Sequence, residues 1–207
     1  FLSIQFAYDR ADEHDTILVH PGVYNDDIWF YGKNVVLGSL FLTTGDTSFL
    51  SSTIIDGDST DCTIAIYGNI DSTCRITGFT IQNGIGCVYG QGAGIYVESA
   101  SPRLDNLIIK NNISGTNGGG ICLNGNSNSL IDKVLIKNNS ADAGGGLYSF
   151  NSNPVITNSV IQNNHSNNGA GVFLELCSPN FENVSITDNY ATSSGGGIYC
   201  GLTSYPV

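Results

Sequence analysis

A glycine cluster that recurs at a fixed spacing constrains the fold of this chain more than any other feature. The steps between successive clusters are 26, 26, 25 and 26 residues. The clusters begin at Gly92 (GAGI), Gly118 (GGGI), Gly144 (GGGL), Gly169 (GAGV) and Gly195 (GGGI). Self-similarity at such a period indicates a solenoid, in which each repeat buries its apolar side chains only by stacking on its neighbours.

The text between the clusters is typical of short strands and turns. In the stretch 147–164 (LYSFNSNPVITNSVIQNN) the apolar residues alternate or come in threes, and no window keeps the period of a helix. Asn, Gly and Ser recur every few residues, as turns require. The repeats hold too few leucines for a leucine-rich repeat. We therefore predict an all-β parallel β-helix of about eight coils, each with three short strands.

Aligning the repeats predicts which residues line the interior of the solenoid. Alternate residues of a strand face the same side of the sheet, so columns of apolar residues at alternate positions are expected inside. The four columns are Ile95, Ile121, Leu147, Val172 and Ile198; Val97, Leu123, Ser149, Leu174 and Cys200; Leu104, Ile131, Ile156 and Phe181; and Ile109, Ile136, Ile161 and Ile186.

One column consists only of asparagine and predicts a structural ladder. It contains Asn112, Asn139, Asn164 and Asn189. An asparagine tolerates the backbone angles of a tight turn, and stacked side-chain amides hydrogen-bond from coil to coil. The glycines are expected to supply backbone conformations that are closed to other residues.

The N-terminal part departs from the repeat. The stretch 3–12 (SIQFAYDRAD) has apolar residues at helical spacing, with Ser3 as a candidate N-cap, and predicts a helix that covers the open end of the solenoid. We predict one domain over 1–207, with the capping helix in 1–13, irregular coils in 14–91 and regular repeats in 92–207. The chain lacks methionine and stops about half a coil after the last glycine cluster. We therefore expect a longer parent protein, with more coils or a cap beyond Val207.

Charge and cysteine spacing exclude several classes of protein. The net charge of −11 argues against a nucleic-acid surface, which needs basic residues to meet phosphate. No apolar run approaches the roughly 20 residues of a membrane span. The six cysteines contain no C-x-x-C pair, which argues against a zinc site. Buried unpaired thiols are the preferred interpretation, although Cys62 and Cys74 would also suit a bridge.

Two motifs resemble known families. The stretch 16–28 (TILVHPGVYNDDI) resembles the first coil of secreted right-handed parallel β-helix proteins of the pectin-lyase-like superfamily. The unit I-x-x-N followed by G-G-x-I resembles the F-x-x-N and G-G-A-I motifs of polymorphic outer membrane proteins. These resemblances imply a right-handed β-helix and an exported bacterial protein, extracellular or at the cell surface. They do not specify an activity, because proteins with the same fold can carry different functional sites.

Enzymes of the pectin-lyase-like superfamily cleave acidic polysaccharides, and the motifs for this are absent here. A site resembling that of pectate lyases would need a basic residue and a nest of calcium-binding carboxylates, but only Arg10, Arg75 and Arg103 are arginines. A site resembling that of polygalacturonases would need Gly-His-Gly and Arg-x-Lys, which do not occur. No catalytic residue is predicted. The alternative is a polysaccharide lyase or hydrolase whose active site lies partly outside this segment.

Two aspartates predict a weak metal site. Asp105 and Asp132 occupy one column and would lie one coil apart, which is unfavourable for like charges. A shared cation such as Ca²⁺, which takes oxygen ligands, would relieve them. The alternative is that Lys133 and solvent do so.

A column of aromatic residues predicts a binding surface. The aromatic column (Tyr96, Cys122, Tyr148, Phe173 and Tyr199) lies between two interior columns, so it is expected to face outward. Polar and aromatic neighbours two residues further on point the same way: Glu98, Asn124, Phe150 and Glu175. Rings beside amides and carboxylates suit a polysaccharide or a surface-protein partner, whereas stacking within the sheet is the alternative. We predict a non-catalytic adhesion or binding scaffold.

Overall fold

The computed structural model of the chain describes residues 3–201 and 203–207, with the backbone alone at position 88. The helices are α1 (Ile4–Arg10), α2 (Phe41–Thr44) and α3 (Ser48–Ser52), with a 3₁₀ turn at Val88–Gly90. The strands are β1 (Thr16–Val19), β2 (Gly22–Asn25), β3 (Ile28–Tyr31), β4 (Val36–Ser39), β5 (Thr53–Asp56), β6 (Ile64–Tyr67), β7 (Arg75–Thr77), β8 (Thr80–Gln82), β9 (Ile95–Glu98), β10 (Arg103–Lys110), β11 (Ile121–Asn124), β12 (Leu130–Lys137), β13 (Ser140–Ala143), β14 (Leu147–Phe150), β15 (Val155–Thr157), β16 (Val160–Gln162), β17 (His165–Asn168), β18 (Val172–Glu175), β19 (Asn180–Glu182), β20 (Ser185–Thr187), β21 (Tyr190–Ser194) and β22 (Ile198–Cys200).

The strands form three parallel sheets that run along the solenoid. The first sheet has 12 strands, in which β1-β4-β7-β10-β12-β15-β19 form one row and β2, β5, β8, β16 and β20 extend the same turns. The second sheet has seven strands in the order β3-β6-β9-β11-β14-β18-β22, and the third is β13-β17-β21. Every pairing between these strands is parallel, as the repeat predicted.

The solenoid is confirmed, with about six turns rather than about eight. From β9 to β22 the second sheet advances at the period of the glycine clusters. Earlier turns are longer, because α2, α3 and the 83–91 segment are inserted between strands. About eight turns would fit only if every turn had the regular period of about 26 residues. The longer early turns use more residues each, so fewer turns fit in the chain.

The four predicted interior columns are in register in the sheets. Ile121 pairs with Ile95 and Leu147 in the second sheet, and Ile136 pairs with Ile109 and Ile161 in the first. All six side chains are fully buried in the main core. At the last turn Ile198 and Cys200 are exposed, because no described strand stacks on β22.

Helix α1 covers the first turn, as expected. Ser3 is its N-cap and accepts a hydrogen bond from the Phe6 backbone N–H at 3.1 Å. Ile4 and Tyr8 are buried against the core. Asp26 also accepts from Ser3 Oγ and from the first free N–H groups of the helix. A carboxylate is favourable at this positive end of a helix, and this role was not predicted from the sequence.

The short helices α2 and α3 were not predicted, because each is too short to show a helical period. None of the helices in the described part of the chain is long and apolar enough to cross a membrane.

The asparagine column forms a continuous ladder, of which Asn112, Asn139 and Asn164 are buried. Asn112 Nδ2 donates to Asn139 Oδ1 at 3.0 Å, Asn139 Nδ2 to Asn164 Oδ1 at 3.1 Å, and Asn164 Nδ2 to Asn189 Oδ1 at 3.0 Å. Each acceptor oxygen also accepts a hydrogen bond from the backbone N–H of the preceding asparagine. Each Nδ2 also donates to the backbone carbonyl of an interior isoleucine. The ladder therefore satisfies side-chain and main-chain groups where the chain turns inside the protein.

The glycine clusters combine two steric demands. The first glycine of each regular cluster has a left-handed backbone, with φ of +66° at Gly144. The third packs against the next turn, since a Cβ at Gly146 would lie 2.5 Å from the carbonyl oxygen of Gly171. A side chain at either position would strain the bend or separate the turns.

We expect Asn139→Ala to lower the free energy of unfolding by about 3 kcal/mol or more, because it leaves buried donors of Asn112 and the Ile109 carbonyl without partners. The matched control is Asn167→Ala. Asn167 makes the same kind of inter-turn bonds, with Asp142 and Thr192, but is exposed to water. The control should cost less than about 0.5 kcal/mol. Urea denaturation followed by circular dichroism measures both, and equal losses would contradict a special role for the buried ladder.

Candidate functional site: a groove over the second sheet

The outward side of the second sheet carries a second apolar cluster. Its buried members are Cys62, Ala65, Tyr96, Cys122 and Tyr148, with Trp29, Tyr67, Cys87, Ala143 and Phe173 packed against them. This cluster is separate from the main core inside the turns. The aromatic column therefore points away from the interior, as expected, but half of it is covered.

Burial corrects the prediction of an exposed strip. The exposed fraction is 3% for Tyr96, 0% for Cys122 and 7% for Tyr148. The segment 85–91 provides cover, because Gln91 Oε1 accepts from Asn124 Nδ2 at 2.9 Å and from the Cys122 thiol at 3.8 Å. Strand alternation places a side chain on a face but says nothing about a loop that folds over that face.

Beyond Cys122 the column is a stack of rings. The Tyr148 and Phe173 ring centroids are 5.2 Å apart, and those of Phe173 and Tyr199 are 4.8 Å apart, with near-parallel planes. Before Cys122, Tyr96 meets Tyr67 at 5.6 Å in a tilted arrangement. Such pairs add about 0.5–1.5 kcal/mol each beyond area burial, so part of the column stabilises the sheet.

An open groove of about 450 Å³ lies over the middle of this column. The groove is lined by Tyr89, Gln91, Tyr96, Glu98, Asn117, Asn124, Gly125, Tyr148 and Phe150. Five of the predicted ligand-binding residues are thus brought together: Tyr96, Glu98, Asn124, Tyr148 and Phe150. The other three, Phe173, Glu175 and Tyr199, follow on the same face in β18 and β22.

Sequence reasoning missed the wall of the groove. The segment before β9 contributes Tyr89 and Gln91, the segment before β11 contributes Asn117, and none of the three belongs to a strand column. Tyr89 is 87% exposed and has a left-handed backbone, with φ of +53°. The one signal in the sequence that would have drawn attention to Tyr89 is its position between Gly86 and Gly90, in the stretch GCVYGQG.

Hydrogen bonds fix the polar side of the groove. Asn124 Nδ2 donates to Tyr96 Oη at 3.3 Å as well as to Gln91. Tyr148 Oη donates to Glu175 Oε2 at 3.5 Å. Burial raises the pKa of Tyr96 and of Tyr148, and Glu175 raises that of Tyr148 further. Both phenols therefore remain neutral, and their hydroxyls stay hydrogen-bonding groups, over the physiological range.

The groove offers no positive charge. Among the residues that line it, Glu98 carries the one carboxylate and none is lysine or arginine. The chain as a whole has a net charge of −11. An acidic polymer would therefore meet repulsion, whereas a neutral ligand would not.

The second predicted site centres on Asp105, which is completely buried. Its carboxylate accepts from Arg75 Nε at 2.6 Å, Arg75 Nη2 at 2.7 Å and Arg103 Nε at 2.9 Å. Thr77 Oγ1 and Asn106 Nδ2 complete its shell. Burial raises the pKa of Asp105, but the hydrogen bonds from Arg75, Asn106 and Thr77 outweigh it and hold the pKa below its usual range.

Asp132 pairs in register with Asp105, as the alignment predicted, but has its own donors. Thr157 Oγ1 and Asn158 Nδ2 donate to it at 2.7 and 2.8 Å. From the sequence, Lys133 and solvent were the alternative to Ca²⁺ for relieving the repulsion between the two aspartates. In the structure, two arginines form ion pairs with Asp105. The shared Ca²⁺ stays a prediction, and the two separate hydrogen-bond shells give it no support.

Comparison with known proteins places the chain in a family. A family model described as a right-handed beta helix region matches residues 38–206. The chain therefore belongs to the right-handed β-helix family, with a pectin-lyase-like fold. The resemblance of its repeats to those of polymorphic outer membrane proteins stays a resemblance.

One solved structure with the same fold is a pectin methylesterase in complex with a hexasaccharide. It superposes with a TM-score of 0.55 at 13% sequence identity, over 89% of this chain and 61% of that chain. At this identity the likeness shows the fold alone, and this chain spans less than two thirds of that protein's length. No curated protein matches the sequence.

We expect Arg75→Ala to lower the free energy of unfolding at neutral pH by about 3 kcal/mol, because it strips two hydrogen bonds from a buried carboxylate. The control Arg103→Ala removes one bond from a more exposed side chain and should cost about 1 kcal/mol or less.

The loss should also depend on pH. The folded pKa of Asp105 is below its unfolded value, so its contribution is present above about pH 4 and is lost as the pH falls through the folded pKa. The difference between the wild type and Arg75→Ala should therefore shrink on acidification. Urea titrations at neutral and acidic pH measure it, and a gap that stays constant would show that Asp105 is not the group responsible.

Proposed function

We propose that this chain is the binding module of an exported, cell-surface β-helix protein, and that the groove holds a segment of neutral polysaccharide without cleaving it. The observation that carries the proposal is the groove itself, in which exposed aromatic surface lies beside amide side chains. The exported location rests on the resemblance of the 16–28 stretch and of the repeats.

The chemistry of the lining suits a sugar chain. Tyr89 and Phe150 present exposed ring surface, 87% and 37%, on which the apolar faces of sugar rings can stack. Gln91, Asn117 and Asn124 place amides within the same groove, where they can bond sugar hydroxyls. The floor is rigid, since Tyr96 and Tyr148 are packed and hydrogen-bonded, so little ordering entropy would oppose binding.

Charge favours a neutral polymer over an acidic one. A carboxylate-bearing polysaccharide would approach Glu98 with no cation in the lining to offset the repulsion. A pectin methylesterase of the same fold forms a complex with a hexasaccharide, which agrees with a glycan ligand but does not locate it on this chain.

The alternative is a polysaccharide lyase or hydrolase whose active site lies partly outside this segment. It predicts new chain ends on an acidic polysaccharide, whereas the binding module predicts retention without new ends. A surface-protein partner on the same groove is a third outcome, in which no glycan is retained.

We expect Tyr89→Ala and Phe150→Ala each to weaken binding of a neutral polysaccharide roughly five-fold, since an aromatic contact contributes about 1 kcal/mol. Both residues are exposed, so folding should be unaffected. The control is Tyr190→Ala, which removes another exposed tyrosine from β21, outside the groove. Affinity electrophoresis against neutral glucans, xylans and galactans, with polygalacturonate as the acidic comparison, measures binding.

The same incubations, with and without Ca²⁺, are assayed for newly formed chain ends. New ends would overturn the non-catalytic proposal. Retention that is equally strong in Tyr89→Ala and Phe150→Ala would place the glycan elsewhere on the protein. Tighter binding to polygalacturonate than to any neutral polymer would refute the charge argument.

A further inference from the structure

Two cysteines and an aspartate from separate parts of the chain meet at one end of the second apolar cluster. The Cys62 and Cys87 sulfurs and a carboxylate oxygen of Asp61 all lie within 4.8 Å of one another. Cys62 is fully buried, and the other two are half-buried. The Ile85 backbone N–H donates to the Asp61 carbonyl at 2.9 Å, which holds the segment carrying Cys87 beside Asp61.

The surroundings of this triad are negative and contain an unsatisfied oxygen. Asp27 accepts from Thr60 Oγ1 at 2.9 Å through Oδ2, while its Oδ1 is buried and has no hydrogen-bond partner. Asp27 and Asp61 are close enough to repel each other, so a cation beside the two thiols would offset their negative charge.

We propose that Asp61, Cys62 and Cys87 bind a thiophilic divalent cation of the Zn²⁺ class. Tetrahedral Zn²⁺ with thiolate and carboxylate ligands at about 2.0–2.3 Å holds those ligand atoms roughly 3.5–4 Å apart, so the triad needs to contract by at most about 1.3 Å. Two thiolates select Zn²⁺ over Ca²⁺ or Mg²⁺, which prefer oxygen. The fourth position is left for water or another ligand.

The cysteine spacing argues against a zinc site because it contains no C-x-x-C pair. A C-x-x-C pair brings two ligands together on one local turn, whereas stacking of turns can also bring them together. In a solenoid, residues roughly one period apart become neighbours, and Cys62 and Cys87 are separated by 25 positions. The site is independent of the proposed glycan groove, although the segment that carries Cys87 also supplies Tyr89 and Gln91 to that groove.

A disulfide between Cys62 and Cys87 is the competing use of the same sulfurs. It would leave the negative charge around the site unchanged, and Asp61 would only accept the Cys62 backbone N–H at 2.8 Å. The cation uses both thiols and offsets that charge, so the observations favour it.

The test titrates the full, reduced chain with Co²⁺ as a spectroscopic probe and then with Zn²⁺ in competition. We expect one Co²⁺ per chain with a thiolate-to-cobalt charge-transfer band, loss of that band on addition of one equivalent of Zn²⁺, and release of protons on binding. Cys62→Ser and Cys87→Ser should lose the band, and Asp61→Asn should weaken Co²⁺ binding at least about ten-fold. Cys200→Ser, at an exposed thiol, is the control and should behave as the wild type.

Three results would overturn the proposal. One is a wild type that shows no charge-transfer band when its thiols are reduced. Another is a band that survives in Cys87→Ser. The third is a Cys62–Cys87 disulfide, detected by mass spectrometry, that persists when the protein is purified with Zn²⁺ under mild reduction. Because Cys87 and Asp61 are half-buried, their variants keep the test valid even if Cys62→Ser fails to fold.

Discussion

Hydrogen bonding between successive turns is the interaction on which the rest of this structure depends. A parallel strand has no partner within its own turn, so each turn is completed only by the turn before and the turn after it. The same holds at the bends, where the side-chain amide of a buried asparagine donates a hydrogen bond to the asparagine side chain of the next turn. Register is fixed at both kinds of site, and a fixed register stacks like residues into columns. The main core, the ring stack and the ladder all follow from that single constraint.

The candidate sites arise where the chain departs from the regular period. The longer connection between β8 and β9 folds back over the second sheet, buries Tyr96 and Cys122, and raises a wall that carries Tyr89 and Gln91. Without it the aromatic column would be a flat surface with no concavity. The same segment brings Cys87 to Cys62. A regular solenoid presents repeated surfaces, and one irregular segment is enough to turn such a surface into distinct sites.

This division also explains what the sequence could predict. The columns, the ladder positions and the capping helix follow from periodicity and local capping, so residues such as Ile136, Asn139 and Ser3 could be assigned from their spacing alone. The cover over Cys122 could not, because it depends on how a non-repeating segment folds in three dimensions. The arginine partners of Asp105 were missed for a related reason. Arg75 lies 30 positions away in an irregular turn that the alignment of regular repeats did not include.

The scarcity of positive charge connects the two proposals. The chain has seven basic residues against 18 acidic ones. Arg75 and Arg103 are held by Asp105, while Lys33 donates to the last carbonyls of α1 and Arg10 lies over the Phe6 ring. These cations are therefore engaged within the fold, and none of them lines the groove or belongs to the triad of Asp61, Cys62 and Cys87. A protein so arranged can accept an uncharged polymer in its groove, or a metal cation beside its buried thiols. It has little with which to attract a polyanion, because its basic residues are few and four of the seven are already engaged within the fold.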